Sequence, residues 1–276
     1  MLQANQLTGF NGDVSSGNLP TYLYDKIVGL SLTANLNFCL DAADPRCYTV
    51  GSEQWICAHA TGNDYYLGST SGADASDPTH HGTVGNNSLD TYFSFDGADY
   101  FTAKGTHTYQ TPWHKNNGSF TILGLFYPNP TRASAAGLWG DAESVLNMNG
   151  VCVRVTAVGE MYTSRSNAVS GGRDIEYTVA EMEFSKWNFF GWSFDEATTT
   201  HLMRVNSAAE SYPGANPSTD TNAEDYVNKI GATGVPNQYL LNGDRLIAIA
   251  GFSAALSDAN MAAFYDDFKL RIPTMP

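Results

Sequence analysis

The sequence predicts an all-β protein: two antiparallel sheets packed as a sandwich, with one short C-terminal helix. Three observations predict it. Apolar and aromatic residues recur in short runs separated by Gly, Asn and Asp turn signals. Aromatic residues make up 12% of the chain and Gly numbers 26, while charged residues reach only 15%, a profile of pleated, half-buried surfaces joined by tight turns. A sustained helical period stands out in one place, inside "AGFSAALSDANMAAFYDDFK", Ala250 to Lys269. At 276 residues the chain can bury the core of one full sandwich.

Residues 1–34 are rich in Gly, Ser and Asn and hold no sustained period of 2 or 3.6, so they read as an N-terminal arm ahead of a domain at 35–276. The arm carries Leu7, Phe10, Leu19, Tyr22 and Tyr24, apolar residues suited to docking on a partner or a neighbouring subunit. "DTYFSFDGADYFTAK" (Asp90 to Lys104) alternates around Phe93 and Phe95 and turns at Asp96-Gly97, a hairpin or tight-turn signal. "GSFTILGLFYP" (Gly118 to Pro128) is apolar on both faces, as in a central strand covered on both sides. "GVCVRVTAVGEMYTS" (Gly150 to Ser164) predicts a hairpin turning near Gly159, with Val151, Val153 and Val155 inward. "WNFFGWSFD" and "THLMRVNS" predict another hairpin, and "DRLIAIAGF" (Asp244 to Phe252) the last strand.

The helix follows. Ser257 is a suitable N-cap, Asp258 adds negative charge at the positive end of the helix dipole, and Met261, Phe264, Tyr265 and Phe268 form one apolar stripe. Pro273 prevents extension. So short a helix is marginal alone, so it is expected to seal one end of the sandwich, with Phe264 and Phe268 as core residues.

Charge and targeting narrow the function. The net charge of −14 repels polyanions, so neither nucleic acid nor an anionic membrane surface is an expected partner. The N-terminus has no basic n-region and no apolar h-region, which predicts synthesis in the cytosol without a secretory signal. No apolar run approaches the ~20 residues of a membrane span. Cys39, Cys47, Cys57 and Cys152 lack C-x-x-C spacing; they read as free thiols or, for the first three, as a source of one disulfide.

"CLDAADPRCYTV", "WICAHATGNDYYLGS", "YFSFDGADYF", "SFTILGLFYP", "WNFFGWSFDEATTTHLMRVNS" and "LSDANMAAFYDDF" together resemble, in order, the motifs of concanavalin A-like, laminin-G-type jelly rolls found in bacterial and phage structural proteins. The resemblance covers residues 36 to 270, with Phe126 where Trp is usual and Ser207 where Gly is usual. It implies a two-sheet jelly-roll sandwich. It further implies a virion protein made in the host cytoplasm, docked on capsid or tail proteins, multiply copied, and able to display a lectin-like surface to host glycans.

Fold does not dictate function. Glucanases of this sandwich carry carboxylates in a Glu-x-Asp-x-x-Glu or Glu-x-Asp-x-Glu run, which the chain lacks. Asp174 and Glu176 in "GRDIEYTVAEMEF" are the nearest approach and read as a solvated strand face. No hydrolase, zincin or nucleotide-loop motif is present, so the expectation is a non-enzymatic protein without a cofactor. Calcium is the one metal with candidates, Asp41, Asp44, Asp96 and Asp99, although Asp-Gly and Asp-Pro turns use Asp without any metal. His59, His80 and His81 read as isolated loop histidines. For a sugar, Tyr65, Tyr66, Tyr109, Trp113 and His114 lie in loop-like stretches rich in Asn and Thr. The alternative function is a lectin-like protein or a diverged glycoside hydrolase outside a virion.

Overall fold

Two layers of strands face each other across an aromatic core, the expected all-β sandwich. The structure is a computed structural model that describes residues 21–59, 63–87, 90–105, 113, 118–130, 134–141, 150–166, 173–214, 227–233 and 238–276. The first layer is built from β1 (Leu36–Asp41), β4 (Thr79–His81), β5 (Tyr92–Ser94), β7 (Phe120–Tyr127), β12 (Asn188–Asp195), β13 (Thr200–Val205), β14 (Ala208–Pro213) and β16 (Arg245–Phe252). Its order is β14-β13-β12-β7-β16-β5-β4, with β1 on the same edge of β16 as β5. The second layer runs β11-β10-β9-β8-β15-β6-β3-β2. Its strands are β2 (Gln54–Trp55), β3 (Tyr65–Leu67), β6 (Phe101–Ala103), β8 (Ala136–Gly140), β9 (Gly150–Val155), β10 (Glu160–Ser166), β11 (Arg173–Glu181) and β15 (Lys229–Ile230).

The inner faces meet through Phe93, Phe101, Phe120, Trp139, Trp192 and Val153, among others. Strand β7 is the centre of the first layer, flanked by β12 and β16, and each of its faces is buried, as its two-sided apolar run predicts. Phe120, Ile122 and Phe126 enter the core between the layers; Leu123 and Leu125 enter a second core outside it. Gly124 leaves room for the Phe190 ring. A Cβ there would lie 2.6 Å from the Ala248 carbonyl oxygen and 2.8 Å from the ring.

That second core is formed by two helices. Helix α2 (Asp258–Arg271) is capped by Ser257, whose hydroxyl accepts from the Asn260 amide, and buries Met261, Phe264, Tyr265 and Phe268. It lies across the outer face of the first layer, against Leu123, Leu125, Phe189 and Phe252, and does not plug an end of the sandwich. Helix α1 (Leu23–Gly29) was not legible in the sequence; it buries Leu23 and Ile27 in the same cluster. Another expectation narrows. Asp96-Gly97 does not close a hairpin: β5 and β6 belong to different layers, and the turn carries the chain from one to the other. The four cysteines are buried thiols, the first of their two readings, and burial raises the Cys39 and Cys47 thiols well above their usual range. Among the described residues no helix is long and apolar enough to cross a membrane.

Candidate functional site

Beyond the two helices the outer face of the first layer continues into an aromatic and cationic patch. Strand alternation builds it. Phe93 enters the core, so Tyr92 and Ser94 of β5 turn outward. Arg245 of β16 stands beside Ser94 on one side and Tyr127 of β7 on the other. Its guanidinium lies 4.8 Å from the Tyr92 ring centroid and 4.6 Å from that of Tyr127, a cation held by two π-faces. Trp187 forms the floor, edge-on to Tyr92 at 5.9 Å and to Tyr127 at 5.4 Å. At the margin His81 of β4 stacks on Tyr92 at 4.7 Å, and its Nε2 is 2.8 Å from the Ser94 hydroxyl. Burial first, and then the Arg245 charge, lower the His81 pKa below the usual histidine value, so the ring is neutral at pH 7. The patch offers a fixed cation, hydroxyls and aromatic edges, a surface suited to a polar ligand with apolar faces.

A second concentration of chemistry lies between the layers, where β11 passes β13 and β14. Asp174 and Glu176 turn inward here, which corrects the expectation of a solvated strand face. Asp174 is buried beside His201, its Oδ2 2.6 Å from Nε2, while the Trp192 indole donates to Nδ1 at 2.9 Å. The buried Arg165 guanidinium lies 3.5 Å from the Phe194 ring centroid and 3.8 Å from Asp174. Burial lowers the pKa of Arg165 to about 10, against the pull of Asp174 and Glu196. Burial also raises the Glu176 carboxyl; His201 opposes that shift and Asp174 adds to it. Glu210 closes the edge by accepting from the Val179 and Ala180 amides at 2.8 and 2.7 Å, and the Tyr212 hydroxyl donates to it. Burial would raise the Glu210 pKa, but these three donors together hold it below the usual carboxylate value.

The residues proposed from sequence fall elsewhere. Tyr65 is fully buried and donates to Asn228 at 2.6 Å, so its ring has no face for a sugar. Trp113 is fully buried too, stacked on Phe120 at 5.0 Å and near Trp139 at 5.6 Å. Tyr66 is half-buried beneath Lys104. Tyr109 and His114 lie outside the described residues, as do Leu7, Phe10 and Leu19. Tyr22 donates to the Gly85 carbonyl at 2.9 Å, and Tyr24 sits 5.1 Å from the Arg46 guanidinium, so both contact this chain itself.

The calcium candidates are engaged in two separate places. Asp41 receives Arg271 at 2.8 and 3.1 Å and the Leu23 amide at 3.1 Å. Asp44 holds Arg46 at 2.6 Å. Asp99 accepts from the Asp96 amide at 2.8 Å, and Asp96 from the Ala98 amide at 2.8 Å. The described residues contain no group of three or more His, Cys, Asp or Glu side chains placed for a metal.

No family model and no curated protein matches the chain, and no phage-type family is shown. Solved structures do match. Trypanosoma rangeli sialidase in complex with sialic acid aligns at a TM-score of 0.56 and 10% identity, over 84% of this chain and 33% of the sialidase. A mutant of that sialidase displaying trans-sialidase activity aligns at 0.55 and 10%, over 87% and 34%. The binding domain of Paraclostridial Mosquitocidal Protein 1 aligns at 0.57 and 9%, over 86% and 53%. The chain thus spans about one third of the length of these sialidases, and the likeness is one of fold.

This overturns the expectation of a non-enzymatic protein. Sialidases share the fold, and a missing glucanase run therefore does not exclude catalysis. The patch around Arg245 was missed because its residues come from four strands and a connecting loop. "DTYFSF" already placed Tyr92 and Ser94 opposite the core-facing Phe93; their neighbours Arg245 and Tyr127 emerge only from the strand order.

Proposed function

We propose that the chain is a carbohydrate-recognition sandwich and that a sugar seats on the outer-face patch of Tyr92, Tyr127, Arg245 and His81, with Trp187 beneath. One observation carries this reading: a guanidinium fixed by two tyrosines on a half-buried sheet face, with Ser94 and the exposed Thr79 beside it. Hydroxyl-bearing ligands are oriented by such convergent polar groups, while aromatic edges contact the C–H faces of a pyranose. The fold shared with a sialidase in complex with sialic acid and with the binding domain of a mosquitocidal protein supports the same reading. Display on a virion, docked through residues 1–34, gives way to it as the principal reading. A glycan array tests it: the wild-type chain is expected to retain a defined set of oligosaccharides and the Tyr127→Ala variant to lose them. Retention by neither would remove the proposal.

A second reading is glycoside hydrolysis at the inter-layer edge. It is favoured by Glu176, a half-buried carboxyl with a raised pKa, next to Asp174 held by His201. A carboxyl so raised has the character of a general acid, able to protonate a glycosidic oxygen. Release of reducing sugar or free sialic acid by the wild type, abolished in Glu176→Gln, is the expected outcome. No turnover on any glycoside would reject it.

A further inference from the structure

Resting on the glycan reading above, we infer that the sugar read at this patch is an acidic one, whose carboxylate is received by Arg245. The chain holds 28 carboxylate side chains against 14 lysines and arginines, so a cation has on average two acids to choose from. Four other arginines take that option. Arg271 is paired with Asp41, Arg204 with Asp258, and Arg46 with both Asp25 and Asp44. Arg165 lies within 4 Å of Asp174 and Glu196. Arg245 differs. Its guanidinium lies against the rings of Tyr92 and Tyr127, and the described residues place no carboxylate within ion-pair distance and no hydrogen-bond acceptor on its N–H groups.

Contact with two rings confines the guanidinium and leaves its N–H groups as the recognition element. They form a planar fork matched to the two oxygens of a carboxylate. His81, the titratable neighbour, is neutral and adds no competing charge. Beyond a Debye length of ~8 Å the excess negative charge of the chain is screened, so a single carboxylate at the patch responds mainly to Arg245. A neutral sugar would leave the fork solvated; an acidic sugar, a uronic or sialic acid, satisfies it while its ring rests against the tyrosines. Polyanionic chains, in which many charges meet the acidic surface, are disfavoured.

The test is titration calorimetry with matched pairs: 3′-sialyllactose against lactose, and glucuronic-acid-terminated against glucose-terminated disaccharides. The expected result is that wild type binds at least one acidic member about tenfold or more tighter than its neutral counterpart, the scale of one charge-assisted contact. Arg245→Gln should bring the acidic member to the neutral level. Arg245→Lys, which keeps the charge but loses the fork, should restore part of the difference. Melting curves of both variants confirm that they are folded. Equal affinity for acidic and neutral members, or a preference that survives in Arg245→Gln, overturns the inference while the glycan reading stands. Absence of binding to every member, neutral ones included, overturns both.

Discussion

Asp41 and Arg271 meet as a bidentate, fully buried pair that ties the first strand to the last helix, 230 residues apart in sequence. Asp41 also accepts from the Leu23 and Ala43 amides, so one carboxylate joins α1, β1 and α2. Removing one member of such a pair leaves the other charge buried alone, at a cost of about 3–5 kcal/mol. Asp41→Ala should therefore lower the unfolding midpoint steeply, whereas Asp41→Leu with Arg271→Met together should recover most of the loss. A denaturant series measures both. The same residue shows what a calcium reading of its stretch does not see. "CLDAADP" carries Asp at positions that resemble a loop ligand set, and nothing local to that stretch indicates that an arginine 230 residues away occupies it.

A second residue-scale consequence follows from pH. Burial, reinforced by the nearby Asp96 and Asp77 charges, pushes the Asp99 carboxyl up to about 7. The folded state therefore binds this proton more tightly than the unfolded chain does. Its contribution weakens the fold as pH rises from about 4 to about 7, and the full penalty holds above that range. Asp99→Asn retains an oxygen for the Asp96 amide and cannot ionise. Thermal melts should show the variant level with wild type at low pH and more stable at neutral and alkaline pH. The opposite pH trend would contradict the assignment.

At the scale of elements, legibility followed how much of an element's environment is written in its own residues. Helix α2 carries its cap, its stripe and its stop within one stretch, and each was readable. Ser257→Ala should cost about 1 kcal/mol, a small fall in the melting temperature without change of fold. Strand β7 announced its central place through two apolar faces. Helix α1, with seven residues and two buried side chains, is too short for a 3.6 period to emerge from its surroundings; the Asp41 and Arg46 contacts that hold it are distant in sequence. Strand β11 was misread for a different reason. The usual pattern is inverted: Asp174 and Thr178 point into a polar inter-layer edge while Tyr177 and Val179 lie exposed. Alternation alone cannot tell a polar interior from solvent.

At the scale of the whole molecule, the sandwich divides labour between its layers. The inner faces of both are spent on packing, and the outer face of the first is largely covered by α1 and α2. The part of that face which the helices leave uncovered carries Arg245 and its tyrosines. Its neighbours Thr79 and Ser94 lie on β4 and β5 at one border of the layer. Of this site the sequence showed only fragments, since the patch exists through the order β4-β5-β16-β7-β12 and not through any contiguous motif. The two glycan readings occupy different regions, the outer face of the first layer and the inter-layer edge beside β11, and each has its own tryptophan. Trp187 underlies the Arg245 patch; Trp192 donates to His201 at the inter-layer edge.

The most direct test is therefore an NMR titration of the folded chain with a sialic- or uronic-acid-terminated oligosaccharide, following the indole N–H signals of its five tryptophans. The predicted result is a saturable shift of the Trp187 signal while Trp192 stays in place. Movement of Trp192 without Trp187, or no response from either, would contradict recognition at the outer face.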